Sequence, residues 1–296
     1  MAASPLNSKS NFHARSNSLP STPHPLILKC YEHLDSLMAS NETTSSSPSS
    51  LLSHKIGGLQ DFIDCVENLV QLPLTQDTLL HDRQENWVDE LLDGSLRLLD
   101  VCNASKDALL HTKECTRELQ SIIRRRRGGE MELTTEVKKF LTSRKIVRKA
   151  ISKTLANLKG RKNCNILSTN KDHKKVALIS LLQDVEVATL STFQTLLQFI
   201  SGSTQSKSNS WLYFSKLIQT KRVACSLGED ESEFSQVDVA LQSLVFAKTS
   251  KFEDVNKLQK HLEKMESCIQ DLEQGLDFLF RRLIKIRVSL LNILNH

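Results

Sequence analysis

Two pairs of side chains stand at a spacing that could hold a metal ion. His111 with Cys115, and His261 with Met265, are each four residues apart, which on a helix puts both side chains on one face. A closed zinc site takes four ligands, and neither pair has a third or fourth in view, so chance placement on an amphipathic helix is the expectation. No metal and no cofactor is expected. Gly-rich phosphate loops, H-E-x-x-H and G-x-S-x-G are absent from the sequence, and no carboxylate stands out within an apolar run. Without a nucleophile, metal or cofactor signature, catalytic residues are not assigned and enzymatic activity is not expected.

The chemistry that the sequence does offer is modification and charge. In "RSNSLP", Arg15, Ser16, Ser18 and Pro20 form Arg-Ser-x-Ser-x-Pro, which resembles the phosphoserine motif bound by 14-3-3 proteins. Phosphate on Ser18 would add close to two negative charges for an arginine cluster to hold. The same stretch has no acid before Glu32, as in organelle transit peptides, but its prolines and sparse arginines suit an amphipathic targeting helix poorly. Further on, Arg124 to Lys175 holds 17 Lys or Arg against four acids. That local balance of +13 within a net +5 leaves the remainder at −8. Arg124, Arg125, Arg126, Arg127, Lys138, Lys139, Arg144, Lys145, Arg148 and Lys149 are the candidate contacts of this block for an acidic protein or anionic lipid. The plain alternative is a solvated helix face. Nucleic acid is disfavoured because the block contains one aromatic, Phe140, at a core-facing position.

These residues need elements to carry them. Five of the six prolines lie within the first 50 residues and Pro73 is the last, so the rest of the chain is free of helix breakers. Aromatics make up 5% and no alternating run signals strands. An all-α, elongated multi-helix bundle with long antiparallel helices and a disordered N-terminal arm is expected. The organisation reads as a Ser/Pro-rich arm over 1–24, a short helix over 25–38, a flexible linker over 39–50 and a helical bundle over 51–296. Helices are expected over 51–72, 82–127, 133–159, 173–201, 208–226, 234–248 and 251–295. On the short helix, Ile27, Tyr31, Leu34 and Met38 share one side.

The C-terminal helix has the clearest pattern. From Val255 to Ile293, apolar residues alternate steps of three and four, with Leu262, Ile269, Leu276, Leu283 and Leu290 in the seam. The run covers about 57 Å of helix at about 1.5 Å per residue. Such a seam suits a homodimeric coiled coil, but Phe252, Phe278 and Phe280 widen the apolar face, so packing against the 82–127 helix of the same chain is favoured.

Composition bounds the setting. Hydrophobic residues make up 39% and charged residues 25% of the 296, as in globular proteins, and no run of about 18 apolar residues suggests a membrane span. Seven cysteines without C-x-x-C spacing read as reduced thiols packed as small hydrophobes. A cytoplasmic location is expected, with peripheral membrane, nuclear or plastid association left open.

At "FHARSNSLPSTPHP", "WVDELLDGSLRLLDVCNASKDALL", "ELQSIIRRRRGG" and "LEQGLDFLFRRLIKIRVSLLNILNH", the chain resembles the plant family called domain of unknown function 241, grouped with BYPASS-related proteins. The resemblance runs from Phe12 to His296. It implies a plant-specific all-helical protein without known enzymatic activity, linked to root and shoot development, and it supplies no catalytic residues. The expected function is a non-catalytic interaction or regulatory protein; the alternative is a peripheral membrane protein docking its basic helical surface on anionic lipid.

Overall fold

The computed structural model describes residues 24–39, 47–125, 130–159, 173–202, 232–246 and 252–295. Among these there are eight helices and no strand: α1 (Pro25–Ala39), α2 (Pro48–Val70), α3 (Pro73–His81), α4 (Asn86–Arg125), α5 (Glu130–Lys159), α6 (His173–Ser201), α7 (Glu233–Phe246) and α8 (Phe252–Asn295). Arg15, Ser16, Ser18 and Pro20 of the arm, most of the 39–50 linker and the helix expected at 208–226 lie outside the described residues.

Helix starts follow local chemistry. Pro48 takes the first position of α2, and the Ser47 hydroxyl accepts from the Ser50 amide at 3.3 Å, so the helix begins inside the stretch expected to be linker. Pro73 likewise takes the first position of α3, there after Leu72 and without a side-chain cap. The 82–127 helix therefore starts later than its periodicity suggests. A turn at Asp82–Glu85 separates α3 from α4, fixed where Trp87 Nε1 donates to Asp82 Oδ2 at 3.1 Å. Gly202 closes α6 with φ of 71°, the left-handed conformation that favours glycine there.

The bundle is organised around α8. Lys106 pairs with Asp277 at 2.6 Å, Lys113 with Glu273, and Arg117 with Glu266 at 3.0 Å, so rising positions on α4 meet falling ones on α8 and the helices are antiparallel. Gln60 donates to the Gly275 carbonyl, Arg282 pairs with Asp64 and Glu67, and Gln71 donates to Ser289, so α2 runs parallel to α8. Leu262, Ile269, Leu276, Leu283 and Leu290 are buried within this one chain, with α2, α4 and α7 around them. That is the intrachain packing the widened apolar face called for.

Two expectations change. On α1 the buried residues are Ile27, Cys30 and Leu37, while Met38 is exposed. Helix α6, by length and composition alone, is apolar enough over 175–201 to cross a membrane, with mean hydropathy 1.4. Half of its most apolar window is buried inside the bundle, and Glu186 on it pairs with Arg97 of α4 at 2.6 Å, which matches a core helix packed on several neighbours.

Candidate functional site

The basic residues sort by the direction each helix gives them. On α5, Lys138, Lys145, Lys149 and Lys153 are exposed, and steps of seven and four residues put them along one face over about 22 Å. No acid occurs between residues 137 and 159. The face also carries Ile146, 59% exposed among these lysines. Lys139 stands beside them but is engaged by Glu136 at 3.0 Å, and that carboxylate raises the lysine above its ordinary value.

At the end of α4, Arg117, Gln120, Ser121, Arg124 and Arg125 line an open cleft of about 420 Å³ against Glu266 of α8. Arg125 donates to Ser121 Oγ at 2.8 Å. Arg117 holds Glu266 below the ordinary carboxylate value, against the opposing effect of burial. Arg124 and Arg125 are exposed, and positive charge here complements the negative end of the α4 dipole. Arg126 and Arg127 lie outside the described residues.

Arg144 and Arg148 are not part of this surface, contrary to the sequence expectation. Arg144 is 1% exposed and holds Asp238 of α7 through two nitrogens, at 3.2 and 3.0 Å, while also donating to the Ile200 carbonyl at 2.9 Å. Arg148 is half-buried, pairs with the same carboxylate and donates to the Ser201 carbonyl at 2.8 Å. The two arginines tie the C-terminus of α6 to α7, and the Arg144 guanidinium lies 5.3 Å from the Phe234 ring centre. A fork of donors aimed at one carboxylate and two carbonyls is a structural clamp. Residues 137, 140, 144, 147 and 151 step by three and four, so the spacing had already placed Arg144 on the core stripe of α5.

The His111 and Cys115 pair gains a companion that spacing could not show. Ser143 of α5 lies 2.6 Å from His111 Nε2, and its hydroxyl is 3.0 Å from Cys115 Sγ. A serine hydroxyl against an imidazole is nucleophile-and-base geometry. The three side chains form a polar link between α4 and α5. Among the described residues no group of three His, Cys, Asp or Glu side chains could hold a metal ion. His261 hydrogen-bonds Gln236 at 3.1 Å, joining α8 to α7.

The family model described as Protein BPS1 matches residues 55–293. The chain matches no curated protein and no solved structure. The match covers most of the bundle, including the α4 cleft, the lysine face of α5 and the Arg144 clamp. The chain belongs to this BYPASS-related family.

Proposed function

We propose that this BPS1-family protein is a non-catalytic interaction protein that binds an acidic protein partner through the lysine face of α5 and the arginines at the end of α4. The observation that supports it is the row Lys138, Lys145, Lys149 and Lys153 with exposed Ile146 on one helix face. A positive row steers an acidic partner and fixes its register, and an apolar residue within the row gives the contact a dry centre. The absence of acids between 137 and 159 leaves the row without an acid of its own helix inside its span. A role in root and shoot development rests on the family resemblance.

A second reading has the same face lying on an anionic membrane, because lysines around an exposed isoleucine also suit a helix at a lipid surface. Phe140, the one aromatic of the basic block, is buried, which removes a stacking platform for nucleic acid. Co-sedimentation with phosphatidylserine vesicles over a salt series separates the two readings. Binding that falls with salt supports the membrane, and no binding even at low salt removes it. The protein reading is tested by proximity labelling in root tissue with wild type and with the four lysines reversed to glutamate. Loss of the wild-type partner set in the variant supports it, and an unchanged set overturns it.

A further inference from the structure

We propose that Cys30 and Cys65 form a reversible intramolecular disulfide that staples α1 to the rest of the bundle. Their sulfurs lie 2.6 Å apart, on α1 and α2, in residues 0% and 4% exposed. Unbonded heavy atoms pack at roughly 3.5–4.0 Å, so the two thiols face each other at a separation that bond formation only needs to shorten. Of the other described cysteines, Cys102 reaches the Leu276 carbonyl and Cys115 reaches Ser143.

The position of the pair gives the bond a consequence. Cys65 lies inside the 55–293 family match and Cys30 lies before it, so the bond would tie the helix that precedes the matched region to the matched bundle. Helix α1 has 15 residues, near the length at which an isolated helix is marginal in water, and its order depends on docking. Its polar ties include Tyr31 donating to the Ala177 carbonyl at 3.3 Å and Cys65 Sγ approaching the Leu26 carbonyl at 3.8 Å. Reduced, α1 is held by noncovalent contacts, with Ile27, Cys30 and Leu37 buried and Leu26, Tyr31 and Leu34 packed against the core; oxidised, it is also tied covalently across 35 residues.

The oxidant is a small-molecule disulfide such as oxidised glutathione. One cysteine thiolate attacks a glutathione sulfur, forms a mixed disulfide and releases one glutathione thiolate. The second cysteine then displaces the remaining glutathione, so the protein loses two protons and two electrons while oxidised glutathione becomes two thiols. Burial, and then the neighbouring Cys65, push the Cys30 thiol above its usual range. The docked pair therefore reacts slowly, and the bond forms as α1 docks during folding or swings away transiently.

The full chain is unfolded, refolded in a glutathione redox buffer, alkylated and digested for mass spectrometry. The expected result is a peptide joining Cys30 to Cys65 and a fall in free thiols from seven to five, reversed by dithiothreitol. Cys30→Ser and Cys65→Ser should each abolish that peptide while circular dichroism still reports the helical bundle. Seven free thiols after refolding, or cross-links that join other cysteines in its place, would overturn the proposal.

Discussion

Helices α8 and α5 are both amphipathic and both rich in charge, but they use that charge in opposite ways. On α8, Glu266, Glu273 and Asp277 meet Arg117, Lys113 and Lys106 of α4, while Arg282 and Lys285 meet Glu67 of α2. Its apolar seam is covered on several sides. On α5, Arg144 and Arg148 are drawn inward to Asp238, and Lys138, Lys145, Lys149 and Lys153 stay on the outside. Charge satisfied within the chain specifies which helices pack and in what direction. Charge left at the surface is available to a partner, and the proposed function of this protein rests on that second kind.

The strongest way to break this contrast is at the clamp. Asp238→Ala leaves Arg144 buried without its carboxylate, and a buried charge deprived of its partner costs about 3–5 kcal/mol. Urea unfolding should show a loss of that size, and a loss under about 1 kcal/mol would show that the clamp is not desolvated. At the seam, Leu276→Ala opens a void beside α4 and should cost about 2–5 kcal/mol in the same assay. A smaller loss would mean that the helices close over the gap.

Acid should loosen α2 from α8. Burial pushes the Glu67 carboxyl up, but hydrogen bonds from Lys285 and Arg282 outweigh it and leave the group below its ordinary 4.5. A depressed folded value contributes stability above the unfolded value, and that stability is lost as pH falls through the folded one. The urea midpoint should therefore drop on acidification below about 4.5, and Glu67→Gln should flatten part of that slope. A slope identical in variant and wild type would show that the pairs do not act on folding. The smallest stability change is expected at the α5 face, where each of Lys138, Lys145, Lys149 and Lys153 reversed to glutamate should move stability by no more than about 0.5 kcal/mol.

Much of this arrangement was legible in the sequence, for reasons that differ by element. The α8 seam was clear because one uninterrupted alternation of threes and fours runs through a helix of 44 residues. Helix α3 went unrecognised because its nine residues bury only Thr75 and Leu79, too few to make a stripe. By its charge Arg144 belongs on the surface, but its spacing with residues 137, 140, 147 and 151 places it in the core. Its partner Asp238 is 94 residues away, and no local pattern joins them. Ser143 was likewise invisible beside His111, because it arrives from the next helix. Lys138, Lys145 and Lys149 stand out by charge alone and are exposed, whereas Lys153, on the same face, is not among the candidates of the sequence.

The most direct test sets the two helices against each other in root tissue. Proximity labelling is compared among wild type, a variant with Lys138, Lys145, Lys149 and Lys153 of α5 reversed to glutamate, and a control with exposed Lys257, Lys260 and Lys264 of α8 reversed. The predicted result is loss of the wild-type partner set in the α5 variant and its retention in the α8 control. An unchanged set in the α5 variant, or equal loss in both, would contradict the assignment of partner binding to the lysine face of α5.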